Sequence, residues 1–180
     1  MVTLGLDAST TCVGYAFTED KKILDMGFID IKKEKTPKDK VQKVLEFINN
    51  SSYIDSVMDI NIEDNLSGFA GGRTSQQVII KLAKFNAILC FMLEEMFDFK
   101  VHSINPMTAR KNVFGKARVK GMKAKDLVKM KVEEMYDTSP WCKKTKRGNW
   151  DKRNIDMYDG LVMSLFEKKA WFISKTFVYC

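Results

Sequence analysis

The stretch VTLGLDASTTCVGYAFTEDKKILDMGFIDI, residues 2–31, decides the fold. It opens with a short apolar run, Val2–Ala8, that carries an acid, Asp7, at its end. A Ser9-Thr10-Thr11 turn leads to a second run (12–18), and the polar turn 19–22 leads to a third (23–31). Three such runs joined by short polar connections read as an antiparallel meander. Beyond it, Pro37 opens a helical pattern over 39–50, with Val41, Val44, Leu45 and Ile48 at three-to-four spacing. Val57–Glu63 is a fourth strand, again closed by an acid. A glycine-containing link (67–72) precedes a long helix over 74–97, with Thr74 or Ser75 as its cap. A fifth strand (100–104) ends at Asn105-Pro106. A short helix (107–113), a basic loop (114–122), a helix from 123 to about 136, a second basic loop (137–149) and a last helix from 151 to about 169 complete the pattern. The order β-β-β-α-β-α-β-α-α-α predicts an α/β domain over residues 1–180, with a five-stranded mixed sheet flanked by helices on both faces.

Composition excludes several classes. Hydrophobic residues make up 45% of the 180, too many for a disordered chain. No uncharged apolar run approaches the roughly 18–20 residues of a membrane-spanning helix. The first apolar stretch is too short, and reaches an acid too soon, for a signal peptide. Cys12, Cys90, Cys142 and Cys180 share no short spacing, so they form no zinc knuckle and read as reduced thiols. A cytoplasmic location is expected. The net charge of +7 is unevenly spread. Between Arg110 and Arg153 stand 15 Lys and Arg against 5 Asp and Glu, whereas the rest of the chain is slightly acidic. Such a block points to a polyanionic partner, although a solvated lysine-rich surface has the same composition.

The acids carry the chemistry. Carboxylates are depleted in strands and costly to bury unpaired, yet Asp7 closes the first strand and Glu63 the fourth. In a sheet of this order those strands can lie side by side. Asp156 and Asp159 are spaced i,i+3 on the last helix, whose same face is otherwise apolar and should pack on the sheet. Taken singly, Asp7 can cap a turn with Ser9 and Thr10, Glu63 can mark an ordinary strand end, and a DxxD pair can lie on a solvated face. Taken together, four carboxylates from three distant segments can converge. Hard oxygen ligands select Mg²⁺, with Mn²⁺ as a substitute. Two such ions about 4 Å apart activate water and stabilise a leaving oxygen in phosphodiester hydrolysis.

In this ordered set the sequence resembles the RuvC family of Holliday junction resolvases, within the ribonuclease H-like superfamily, and above all its bacteriophage forms. Leu4-Gly5-Leu6-Asp7-Ala8-Ser9 resembles the first-strand motif, and Ile62-Glu63-Asp64 the catalytic glutamate segment. The stretch 110–125, centred on Val113-Phe114-Gly115, resembles the basic DNA-contacting segment. Ile155-Asp156-Met157-Tyr158-Asp159-Gly160-Leu161 resembles the terminal DxxD helix. The resemblance implies a ribonuclease H-like fold and a crossover junction endonuclease, with Asp7, Glu63, Asp156 and Asp159 as catalytic acids holding two ions. It places the family's two basic site residues on Arg110 and on Lys125 or Lys123. Lys111, Lys116, Arg118, Lys120, Lys123 and Lys125 then belong to a DNA-binding loop. Where bacterial members carry an aromatic three positions after the glutamate, this chain has Leu66, with Phe69 three further on, which implies relaxed sequence preference. Branched DNA, chiefly four-way junctions, is the implied partner, and a homodimer the implied assembly. Independently, the helix 74–97 is apolar on more than one side, as an interface helix or a central core helix is.

Other readings stay in view. A ribonuclease H acting on RNA–DNA hybrids, a relaxed branched-DNA nuclease and an inactive junction-binding module share these features. The run Leu4–Thr11 also resembles the phosphate-binding strand of actin-like sugar kinases, which need a second domain and a second phosphate motif. His102 is read as structural. Trp141 and Trp150 are read as packing a loop or stacking on bases, and Met107, Met122, Met130 and Met135 as core filling.

Overall fold

The structure is a computed structural model, and it describes residues 1–64, 75–97 and 100–167. Strands β1 (Val2–Ala8), β2 (Cys12–Glu19) and β3 (Lys22–Asp30) form the meander, and β4 (Val57–Glu63) and β5 (Val101–Ile104) extend it in the order β3-β2-β1-β4-β5. The meander pairs are antiparallel, while β1–β4 and β4–β5 are parallel. The parallel pairs follow from the helical crossovers: α1 (Pro37–Asn49) links β3 to β4, and α2 (Gln76–Phe97) precedes β5. The five-stranded mixed sheet expected from the residue pattern is therefore present.

Local chemistry fixes the helix starts. Thr36 caps α1 in a capping box with Asp39, with Pro37 in the first turn. The Asn105 side chain accepts from the amides of Met107 and Thr108 at the start of α3 (Pro106–Phe114), which ends on Gly115 in the left-handed conformation. A short 3-10 turn, Ile54–Ser56, leads into β4.

Strand alternation divides the core in two. Leu4, Leu6, Ala8, Ile60 and Ile62 join the inner faces of α1 and α2 in one cluster. On the other face, Ala16, Met26 and Ile104 pack with α3, α4 (Ala124–Met135) and α5 (Asn154–Ser164). Helix α5 lies against β1 to β4 and is covered by α3 and α4, so it is buried almost all round. It is shorter than the 151–169 span expected from sequence. Asp151 and Arg153 form an ion pair just before its first turn, and residues 168 and 169 lie outside the described residues.

Helix α2 buries Leu82, Phe85, Leu89 and Leu93, while Ile80, Ile88 and Phe91 stand exposed. By length and composition alone it is apolar enough to cross a membrane, but Lys81 and Lys84 interrupt it and one face packs in the core. Thr74, the link 67–72, Leu66 and Phe69 lie outside the described residues. Three of the methionines expected in the core, Met107, Met122 and Met135, are instead exposed. Met107 and Met122 border the polar 115–123 loop, where Arg118 sits on the Met107 sulfur, so little apolar surface is available to cover them.

Candidate active site

The site is built by register. Leu6 pairs with Ile62 across the parallel β1–β4 ladder. One residue further along each strand stand Asp7 and Glu63, side by side at the same edge. Both project from the α5 face, because Gly5 and Asn61, two residues earlier, touch α5.

Three glycines let α5 approach closely enough to complete the site. A Cβ on Gly5 would meet the Ser164 nitrogen and Gly160 carbonyl at 2.1 and 2.2 Å, and one on Gly14 the Asp156 carbonyl at 1.7 Å. Gly160 in turn leaves no room for a side chain against the Gly14 backbone. Asn61 locks the far end of the helix, donating from Nδ2 to the carbonyls of Met163 at 3.1 Å and Phe166 at 3.4 Å. These four residues position the acids, and sequence reasoning passed over them. The available signals were Gly5 and Gly14 in strand interiors, which mark close backbone approach, Gly160 inside a helix, and a lone amide in an apolar strand.

Helix α5 thereby sets Asp156 and Asp159 over Asp7 and Glu63. Asp7 and Asp159 are buried, and Glu63 is nearly so. Burial pushes the Asp7 carboxyl well above the usual carboxylate range, and the charges of Glu63, Asp159 and Asp156 push it further. Burial and the Asp159 charge push Glu63 up to about 7. Asp159 is raised chiefly by burial, against the opposing pull of Arg110 and Lys125. Asp7 thus lies within electrostatic reach of the other three carboxylates.

Two cations join these acids. Arg110, from α3, donates from Nη2 to Asp159 Oδ1 at 3.1 Å, with Asp159 buried and Arg110 largely so. Lys125, at the start of α4, donates to Asp156 Oδ1 at 3.2 Å. Burial works against the Lys125 charge, but Asp156, Asp159 and Asp7 together outweigh it and raise its pKa. Between the two lysines that the sequence left open, Lys125 reaches the acids, while Lys123 is the exposed residue that precedes α4. Lys111, Lys116, Arg118, Lys120 and Lys123 are all exposed and make no ion pair among the described residues. The Cys12 thiol lies beside Asp156 and, chiefly through burial, is pushed up to about 12, so it stays protonated.

The donor chemistry fits a hard divalent cation: four carboxylates, with Glu63 Oε2 buried and without a hydrogen-bond partner. The set is not closed around an ion. No group of three or more His, Cys, Asp or Glu side chains among the described residues is arranged to hold a metal, and Arg110 and Lys125 engage two of the four acids. The remaining sequence candidates are structural. His102 pairs with Asp59 at 3.0 Å, and Trp141 and Trp150 pack into the second core cluster.

No family model matches the sequence, and no curated protein sequence matches it. Solved structures do. The chain is similar to Thermus thermophilus RuvC in complex with a Holliday junction substrate, with a TM-score of 0.59 and 11% identity over 91% of this chain and 90% of that one. A second Thermus thermophilus RuvC structure gives 0.58 and 13%, covering 91% of each chain. The yeast mitochondrial Holliday junction resolvase Ydc2 gives 0.56 and 14%, over 90% of this chain and 75% of that one. The fold is thus ribonuclease H-like. Its structural neighbours within that fold include a RuvC bound to a Holliday junction substrate and a mitochondrial Holliday junction resolvase.

Proposed function

We propose that the chain is a divalent-metal-dependent endonuclease that resolves four-way DNA junctions, and other branched DNA, by phosphodiester hydrolysis on symmetric strands. The observation that carries this reading is the meeting of Asp7, Glu63, Asp156 and Asp159 from β1, β4 and α5, with Arg110 and Lys125 bonded to two of them. Buried carboxylates that repel one another are costly unless cations neutralise them. Bound divalent ions would supply a nucleophilic water at neutral pH and stabilise the leaving oxygen.

The chain's own residues do the rest. Asp7, Glu63, Asp156 and Asp159 would hold the ions. Arg110 within the site and Lys125 at its exposed rim supply positive charge for the phosphate being cut, and would exchange their carboxylate partners for it. The exposed cations Lys111, Lys116, Arg118, Lys120 and Lys123 would contact the DNA backbone, which makes binding strongly salt-dependent. That a similar structure is in complex with a Holliday junction substrate supports branched DNA as the partner. A homodimer would present two such sites on one branch point, and the exposed apolar stripe of α2 is the surface proposed to form it.

A substrate panel tests the reading. Four-way junction, replication fork, linear duplex, single strand and RNA–DNA hybrid are incubated with protein and Mg²⁺. Cutting confined to branched DNA is expected. Cutting of the hybrid alone would make the protein a ribonuclease H, and junction binding with no cutting in any metal would make it a binding module.

A further inference from the structure

We propose that the hairpin of residues 143–150 is a second phosphate-binding surface, which grips a duplex arm on the β3 side of the carboxylate site; this rests on the branched-DNA reading. The hairpin is held to the start of α5 by paired bonds. The Lys143 amide donates to Asn154 Oδ1 at 3.0 Å, Asn154 Nδ2 donates back to the Lys143 carbonyl at 2.9 Å, and the Asp151 amide donates to that carbonyl at 3.1 Å. Its tip closes through Thr145 N to the Asn149 carbonyl at 2.7 Å, with Gly148 at φ 79°, and Lys144 bridges to Trp150. Trp150 is fixed beneath it, with the Lys129 ammonium 4.6 Å from its ring centroid and the Tyr158 ring 6.4 Å away. That indole braces the hairpin and is not free to stack on a base.

The charges divide into anchored and unengaged. Lys143 and Arg153 both lie over the Phe28 ring of β3, and Arg153 also pairs with Asp30 and Asp151. Lys144, Lys146 and Arg147 are exposed and make no ion pair among the described residues. Three like charges on an ordered tip repel one another, a cost that a polyanion removes. Asn154, which holds the hairpin, stands two residues before Asp156. Phe28 and Asp30 place it toward the β3 edge, whereas the 115–123 loop leaves α3, the helix that follows β5 at the other edge. The acids are therefore flanked by cations from both edges of the sheet. One basic loop suffices for a single duplex; two flanking surfaces suit a branch point, where two arms diverge.

The test compares wild type with a Lys144→Gln/Lys146→Gln/Arg147→Gln variant and with a charge-keeping Lys144→Arg/Lys146→Arg/Arg147→Lys variant. Binding of a four-way junction and of linear duplex is followed by fluorescence anisotropy from about 50 to about 200 mM salt, with hydroxyl-radical footprints of the junction complex. The neutralised variant is expected to bind the junction at least about tenfold more weakly, and its plot of log K against log salt to flatten by about two to three. Protection of the backbone in one pair of arms should vanish, and the charge-keeping variant should match wild type. Wild-type affinity and slope in the neutralised variant would overturn the proposal. A wild-type protein that binds DNA but neither prefers nor cuts junctions would sink the branched-DNA reading instead, and the variant would still report whether the hairpin touches DNA. No DNA binding by wild type would overturn both.

Discussion

Gly14 of β2 lies directly beneath Asp156 of α5, so close that a Cβ would stand 1.7 Å from the Asp156 carbonyl oxygen. The seat is backbone on backbone, with no flexible side chain to give way. Gly14→Ala should therefore lift the start of α5 and carry Asp156 away from Asp7. We expect a loss of at least about 2 kcal/mol in stability, at the upper end of overpacking costs, together with a drop of tenfold or more in cleavage. Denaturant melts beside single-turnover rates check both. An alanine variant with wild-type stability and rate would mean that the helix does not need this seat.

That glycine also marks where sequence reading stops. The strands, their order and the acids at their ends are written in local pattern: apolar runs, turn residues, and i,i+3 spacing in Ile155–Leu161. The approach distance of a helix to a sheet is not local. Gly5, Gly14 and Gly160 each look like ordinary small residues until the fold brings them together. Likewise the extra residues between Gly115 and α4 leave two lysines equally eligible by counting. Only the turn at the start of α4 places Lys125, and not Lys123, against Asp156. Asp151 looks like a helix start but is occupied by Arg153, so α5 begins three residues later.

The buried acids predict an inverted pH profile for the metal-free protein. Glu63 is pushed up to about 7 and Asp7 is raised as well, so the folded state holds protons that the unfolded chain releases near its ordinary carboxylate range. The stability they contribute is full below about pH 4 and is lost as pH rises through about 7. In EDTA, Tm should therefore fall across that window, and Mg²⁺ should reverse the fall above pH 7. Glu63→Gln should stabilise the metal-free protein at pH 8 by on the order of 2 kcal/mol. A Glu63→Gln variant melting no higher than wild type at pH 8 would contradict the repulsive field.

Arg110 and Lys125 should separate stability from chemistry. The Arg110 side chain is 11% exposed and its partner Asp159 4%, so Arg110→Ala strands a buried charge at a cost of about 3–5 kcal/mol. Lys125 is 62% exposed, and Lys125→Ala should cost less than about 1 kcal/mol. Both should slow cleavage at least tenfold, the lysine variant with almost no change in Tm. A fully active Lys125→Ala enzyme would remove Lys125 from the site.

The outer face of α2 carries the dimer proposal. Ile80 is 53% and Phe91 58% exposed, both on the side away from Leu82 and Leu89. Ile80→Glu with Phe91→Glu should leave the fold intact and shift sedimentation from dimer to monomer. Paired nicking of a junction should then become two uncoupled events. A wild-type protein that sediments as a monomer at tens of micromolar would count against this face as an interface.

Asp7, Glu63, Asp156 and Asp159 are proposed to form one metal-dependent hydrolytic centre. The most direct measurement is single-turnover cleavage of a synthetic four-way junction by wild type and Asp7→Asn, each in Mg²⁺ and in EDTA, with binding followed in the same tubes. Wild type in Mg²⁺ should give paired symmetric nicks bearing 5′-phosphates. No nicks are expected in EDTA, Asp7→Asn should cut at least about a thousandfold more slowly, and junction binding should be retained in every case. Undiminished nicking by Asp7→Asn, or by wild type in EDTA, would contradict it.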